Sequence, residues 1–276
     1  MNDQRAGLEE IATKIIESGQ VQIRDVDRGE KPFDYTSGNR GPGYLQIKGL
    51  VGQPDTFVFL IRQLAHKVIR EAKFDFVNGN VTGGAIPGWE LSRQVSDILG
   101  ETIPNTYLRG SKKEGGFGEL ITGIQNNPLI KEGMVALVVE ELVNYAETTT
   151  NAAEVFRDSG YPVSHAACIL SYDHAEANKR LGDHHVILVP LVTLPQLLGV
   201  AESTRQISSE SVKSYRNYLT DPVSWQLERG FVIPQSSVEM AESKGYKMRE
   251  LNAGEAILMG APESKVKGGI IYFSKE

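Results

Sequence analysis

Val135-Ala-Leu-Val-Val-Glu-Glu-Leu-Val-Asn144 is the stretch that decides the fold. Val135 to Val139 is short, β-branched and without alternation, which predicts a strand buried on both faces of a parallel sheet. It runs up to two adjacent carboxylates, Glu140 and Glu141, and a polar loop and a helix follow. In open α/β sheets, ligands bind just past the carboxyl ends of the strands. Two acids at that point suit a sugar diol or a hydrated Mg²⁺, because both are held by oxygen acceptors. The plainer alternative is a strand end followed by a solvated acidic turn.

Outward from this strand, helix and strand patterns alternate, which predicts an α/β fold. Leu8, Ile11, Ala12, Ile15 and Ile16 form a helical stripe closed by Gly19. A Gly/Pro-rich segment, Ser37 to Gly43, leads into a strand-like Tyr44 to Ile47. Phe57 to Ile69 is an apolar helix ending near Arg70, whose charge favours the helix dipole. Phe74 to Val77 is a strand candidate, followed by a loop from Asn78 to Pro87 and a helix from about Trp89 to Leu99. Further strands are expected at Thr106 to Arg109, Ala166 to Ser171 and Val186 to Val192, and a helix at Thr149 to Asp158, stopped by Gly160. Beyond about residue 200 the pattern becomes more polar. Ser208 to Leu219, Pro222 to Arg229 and Val238 to Lys247 read as helices, and Ala256 to Met259 and Gly269 to Phe273 as strands. The expected architecture is a mainly parallel central sheet of about five strands flanked by helices. It carries an N-terminal hood and a small α+β C-terminal extension. The expected boundary separates residues 1–200, hood included, from an extension at 201–276 with no assigned role.

Composition narrows the function classes. The net charge of −6 over 276 residues gives no electrostatic footprint for nucleic acid. No apolar stretch is long enough to span a bilayer, and Met1 to Glu10 lacks the apolar core of a secretory signal. A single cysteine, Cys168, sits in an apolar run and reads as a buried inert thiol. The expectation is a soluble cytoplasmic protein. None of the five histidines has metal-ligand spacing, and none is assigned to catalysis.

Two loops carry chemistry. Thr82-Gly83-Gly84 lies between a strand and a helix, where glycines let backbone N–H groups approach an anion. A tight strand-to-helix connection would use the same residues. Tyr107-Leu-Arg-Gly-Ser-Lys-Lys-Glu-Gly-Gly-Phe-Gly118 places cations directly after a strand and then dissolves into glycines. That is the composition of a flap able to close basic groups over a polyphosphate. An exposed hairpin with solubilising lysines is the alternative.

In order and spacing, these parts resemble the orotate phosphoribosyltransferases, a type I phosphoribosyltransferase family, over roughly residues 8 to 200. Ser37 to Tyr44 looks like the family's Ser-Gly-Arg-x-Ser-Pro-x-Tyr segment, and Asn80 to Pro87 like its pyrophosphate-contacting loop. Tyr107 to Lys113, with Gly116 to Gly123, is similar to its catalytic flap and the strand after it. Val138 to Val143 stands at its phosphoribosyl-diphosphate motif. The resemblance implies transfer of ribose 5-phosphate from phosphoribosyl diphosphate to a pyrimidine-like base such as orotate, with loss of pyrophosphate. The transition state would resemble an oxocarbenium ion. The resemblance implies that Glu140 and Glu141 hold the ribose hydroxyls, while Arg109 and Lys113 close on pyrophosphate as the catalytic cations. It implies that Thr82, Gly83 and Gly84 offer backbone donors, and that Tyr44, Asn144, Thr148 and Thr149 complete the substrate site. Mg²⁺ would arrive on the substrate's pyrophosphate with no direct protein ligand. A homodimer, in which the flap of one subunit reaches its neighbour's site, is implied as well.

The chain departs from the family pattern at its phosphate loop. The expected glycine falls at Ala146, and Glu147 brings a carboxylate where a phosphate dianion should sit. At ~4 Å, like charges repel by about 1 kcal/mol in water and about 4 kcal/mol at an effective dielectric near 20. Thr148, Thr149 and Thr150 offer hydroxyls that could rebuild a phosphate nest. Gly110 replaces a family lysine, Gly115 a histidine and Thr36 another lysine. Two readings follow: a working phosphoribosyltransferase with a rearranged phosphate loop, or a catalytically impaired relative. The latter would bind a nucleotide, a phosphosugar or a protein partner in a regulatory role.

Overall fold

The computed structural model describes residues 7–109, 120–243, 247–251 and 270–274. The chain begins with α1 (Leu8–Glu17) and four short strands, β1 (Val21–Ile23), β2 (Phe33–Asp34), β3 (Arg40–Gly41) and β4 (Gly43–Leu45). Then come α2 (Pro54–Glu71), β5 (Phe76–Asn80), α3 (Ala85–Leu99), β6 (Asn105–Leu108), β7 (Ile121–Thr122) and β8 (Ala136–Val143). They are followed by α4 (Glu147–Asp158), β9 (His165–Ser171), α5 (Ala175–Asp183), β10 (Ile187–Thr193) and α6 (Leu194–Ser203). The last elements are α7 (Ser209–Thr220), α8 (Pro222–Glu228), α9 (Val238–Ser243), β11 (Lys247–Leu251) and β12 (Ile270–Ser274). They fall into two compact units, one from Met1–Gln20 and Gln46–Ala201, the other from Val21–Leu45 and Glu202–Glu276. Residues 21–45, grouped by the sequence reading with the first domain, thus cluster with the C-terminal segment. Among the described residues, no helix is long and apolar enough to cross a membrane.

The first unit is built on a six-stranded sheet in the order β10-β9-β8-β5-β6-β7. All pairs are parallel except β6 with the edge strand β7. The order runs one way from β5 through β6 and β7, and the other way from β8 through β9 and β10. The β5–β8 boundary is therefore the point where the topology reverses, and in such sheets the carboxyl ends there form the ligand crevice. Side chains alternate across the sheet. Phe76, Ala136, Val138, Ala166 and Cys168 pack with Phe156 of α4 and Leu181 of α5. On α2, Phe57, Leu60, Ile61, Leu64, Ala65 and Val68 are buried at helical spacing, with Pro54 in the first turn, where its missing N–H costs nothing.

The second unit ties its two chain segments through aromatic rings and buried polar groups. A Cβ on Gly43 would run into the Tyr215 ring, and one on Gly41 into the rings of Tyr35 and Tyr218. Arg40 N–H donates to Gln226 Oε1 at 2.7 Å, and Arg229 pairs with Asp27 at 2.8 Å. Val223, Leu227, Ile233 and Ala241 form its small apolar cluster.

Several expectations are corrected at their edges. The acid pair lies inside β8, which continues to Val143 instead of ending at Val139. β5 starts two residues late and runs through Asn78-Gly-Asn80, read as loop because its side chains are polar. The α3 helix opens at Ala85, four residues before Trp89, and α4 at Glu147, before Thr149. The strand expected at Tyr44 to Ile47 is β4, and Ile47 already begins a 3₁₀ turn. Of the helix expected over Val238 to Lys247, Val238–Ser243 is α9, and Lys247 belongs to β11 instead. The strand expected at Ala256 to Met259 lies outside the described residues.

Candidate active site

At the carboxyl ends of β5 and β8 the first unit holds a cleft of about 450 Å³. Its wall is Asn80 to Gly83 after β5, Leu108 and Arg109 after β6, Glu140 to Leu142 on β8, and Thr148, Asn151 and Val155 on α4. That size falls within the range of small-molecule sites, ~300–1,000 Å³.

Glu140 is only 6% exposed, yet its carboxylate borders this cleft. Asn80 Nδ2 donates to its Oε1 at 2.7 Å and Thr148 Oγ1 donates to the same oxygen at 2.9 Å. Burial pushes its pKa from 4.5 up to about 7; these two donors pull against that, and the neighbouring Glu141 charge adds to it. Glu141, next along the strand, points to the other face. Burial raises its pKa too, opposed by the backbone N–H groups of Glu141 and Leu142 and by the charge of Lys48. Two carboxylates thus reach one cleft from opposite sides of one strand, with their charged forms disfavoured by burial. A vicinal diol would supply hydrogen-bond donors to them.

The turn after β5 explains its glycines. A Cβ on Gly83 would fall on the Glu141 carboxylate, and one on Gly84 on the Val139 carbonyl and the Asn80 backbone. Gly84 is a packing residue here: its N–H already donates to Asn80 O at 2.8 Å. The backbone-donor role expected of it is corrected accordingly, and the donors left on this turn are those of Thr82 and Gly83. The Val81–Thr82 peptide is cis.

The loop after β8 carries the phosphate-loop departures noted in the sequence. Ala146 adopts the left-handed conformation, φ 61° and ψ 16°, at the position where the resemblance expects glycine. Glu147 Oε1 sits 3.1 Å from Arg180 of α5, so its charge is engaged by a guanidinium. Thr148 binds Glu140, as described. Thr149 Oγ1 is buried with no hydrogen-bond partner, in the first turn of α4, where helix N–H groups also lack intrahelical acceptors. Asn144 is exposed, and neither it nor the buried Thr149 is part of the cleft wall.

Of the remaining expected site residues, Arg109 lies on the cleft rim, its Nε donating to Thr122 Oγ1 at 3.0 Å. Lys113 lies outside the described residues. Tyr44 belongs to the second unit, where it stacks on Phe33 at 5.5 Å between ring centroids. Sequence reasoning missed Asn80 as a partner of Glu140, and missed Lys48. The available signal for Asn80 was a pair of asparagines two residues apart beside an apolar run.

No family model matches the chain. It is 29% identical over 216 residues to an orotate phosphoribosyltransferase of Ruegeria sp. (strain TM1040), covering 78% of this chain and 90% of that protein. Among solved structures, UMP synthase of Leishmania donovani superposes with a TM-score of 0.60 at 23% identity, over 78% of this chain and 43% of that one. The chain thus spans less than half of that protein. Orotate phosphoribosyltransferase of Aeropyrum pernix superposes with a TM-score of 0.51 at 24% identity, over 68% of this chain and 97% of that one. The resemblance read from the four motifs is borne out, as is the type I phosphoribosyltransferase fold.

Proposed function

We propose that this chain, a relative of the orotate phosphoribosyltransferases, transfers ribose 5-phosphate from phosphoribosyl diphosphate to orotate or a similar pyrimidine and releases pyrophosphate. The observation that carries the reading is the pair Glu140 and Glu141 in a cleft of about 450 Å³ where the sheet order reverses. Both carboxylates accept hydrogen bonds from the ribose 2′- and 3′-hydroxyls, which relieves the cost of burying them. As the bond from the anomeric carbon to pyrophosphate lengthens, positive charge grows on the ribose, and the two acids beneath it favour that change. Arg109 on the rim and Lys113 on the flap take up the negative charge gathering on pyrophosphate, aided by Thr82 and Gly83 N–H groups.

The 5′-phosphate is assigned to the first turn of α4, whose N–H groups are suited to an anion. The engagement of Glu147 with Arg180 answers much of the objection that a carboxylate sits in this loop. Mg²⁺ fits the chemistry of the donors: the two glutamates can accept hydrogen bonds from the water shell of an ion carried by the diphosphate. When bound, it would neutralise part of the leaving group's charge. The reading extends to a cytoplasmic homodimer, for which the exposed Ile86 and Trp89, three residues apart on α3, offer an apolar strip.

Calorimetry with phosphoribosyl diphosphate and Mg²⁺ tests the reading. The parent protein is expected to bind, and the Glu140→Gln, Glu141→Gln double variant to bind at least ~10-fold more weakly, about 1.4 kcal/mol. A parent that binds nothing, or a double variant that binds as tightly, would remove the proposal.

A further inference from the structure

The middle strand of a parallel sheet ordinarily carries aliphatic side chains, yet β5 places Asn78 and Asn80 on one of its faces. They are 0% and 6% exposed. The register sets Asn78 opposite Thr106 of β6, itself 1% exposed, and pairs Gly79 with Val139 of β8, so that Asn80 comes level with Glu140. Thr106 Oγ1 donates to Asn78 Oδ1 at 3.1 Å, and Asn78 Nδ2 donates to Asn80 Oδ1 at 3.1 Å. Asn80 Nδ2 then donates to Glu140 Oε1 at 2.7 Å. The direction of this chain follows from its end. An ionised carboxylate only accepts, so Asn80 must turn its amide nitrogen to Glu140 and its oxygen to Asn78. Asn78 must then donate to Asn80 and accept from Thr106, whose hydroxyl is the one group able to rotate and serve as the terminal donor.

We propose that Thr106 and Asn78, neither of which lines the cleft, are positioning residues. Through Asn80 they hold Glu140 as a fixed hydrogen-bond acceptor for the ribose diol. The proposal rests on the transferase reading of the cleft. A buried polar group is tolerated only when its partners are satisfied, and with Glu140 ionised these are satisfied in the orientation described, the Thr106 hydroxyl having the Val77 carbonyl at 3.4 Å as a second acceptor. The polarity of the chain and the ionisation of Glu140 therefore support each other. Among the described residues, the charged and titratable groups facing Glu140 are few. Glu141 adjoins it on β8, and Cys168 lies opposite it on β9, its thiol pushed far up by burial and by the charge of Glu140. Lys48 acts on Glu141, and Arg109 shares the cleft. From α4 the cleft receives the neutral Thr148, Asn151, Ala152 and Val155, while Glu147 is held by Arg180.

The test is a carbon-13 NMR titration of the full chain labelled in its glutamate carboxyls, with the Glu140 signal identified by its loss in Glu140→Gln. The parent midpoint is expected near 7. Thr106→Val, which keeps the shape and removes the donor, should raise the midpoint. Asn78→Leu should raise it by roughly one pH unit, the weight of one charge-assisted hydrogen bond. Thr106→Ser, which keeps the hydroxyl, should restore the parental midpoint. If Asn78→Leu does not fold, the Thr106→Val and Thr106→Ser pair decides alone. An unmoved midpoint in Thr106→Val, or an equal shift in Thr106→Ser, would overturn the proposal. In parallel, the affinity of Thr106→Val for phosphoribosyl diphosphate should fall several-fold near pH 6.5 and approach the parental value near pH 9, where the acid is ionised in both. Failure of the parent to bind this ligand would count against the transferase reading, while the titration would still decide the role of the chain of donors.

Discussion

Replacing Glu140 by Gln should make the protein more stable at alkaline pH and less able to bind ribose phosphates. The folded chain holds the Glu140 proton more tightly than the unfolded chain does, with a pKa of about 7 against the ordinary 4.5. Between those values the native state binds more protons than the unfolded state, so stability falls as pH rises from about 4.5 through about 7. This is opposite in sign to a salt-bridged carboxylate, whose contribution is lost on acidification. The integrated penalty above pH 7 is roughly 3 kcal/mol. Gln keeps the volume and one oxygen to accept from Asn80 and Thr148, and it removes the charge. Urea melts near pH 8.5 should therefore place Glu140→Gln about 2–3 kcal/mol above the parent, and near pH 5 the two should agree within about 1 kcal/mol. An equal difference at both pH values, or a variant weaker than the parent at alkaline pH, would refute the claim that burial strains this acid.

Four further outcomes are expected. Gly84→Ala drives a methyl group into the Val139 carbonyl and should cost about 3 kcal/mol by denaturant melt. Gly83→Ala meets first the movable end of Glu141, so it should fold within about 1 kcal/mol of the parent while binding phosphoribosyl diphosphate ~10-fold more weakly. Ala146→Val sets a β-branched residue at φ 61° and should cost about 2 kcal/mol, seen as a lowered Tm. Lys113→Ala should slow transfer ~100-fold or more with an unchanged melt; equal loss of rate and stability would make the lysine structural.

The sheet and its acid pair were legible because apolar, β-branched runs such as Val135 to Val139 signal burial without any knowledge of neighbours. Asn78 and Asn80 were not legible as strand, since their place in β5 is secured by partners 28 and 60 residues away, Thr106 and Glu140. The start of α4 was misplaced for a similar reason. Ala146 turns left-handed without the glycine that would advertise it, and the helix begins directly afterwards. Glu147 read as an obstacle to phosphate because its partner, Arg180, is supplied by the next helix. The grouping of residues 21–45 with the C-terminal segment rests on contacts such as Arg40 with Gln226, which no local pattern announces.

Transfer itself is the decisive measurement: orotate, phosphoribosyl diphosphate and Mg²⁺ are mixed with the protein, and orotate loss and pyrophosphate release are followed together. Equal consumption and release are predicted, with the rate lowered ~100-fold or more in the Glu140→Gln, Glu141→Gln double variant. A parent that binds phosphoribosyl diphosphate and leaves orotate untouched would contradict orotate transfer, and a double variant as fast as the parent would contradict the role given to the two acids.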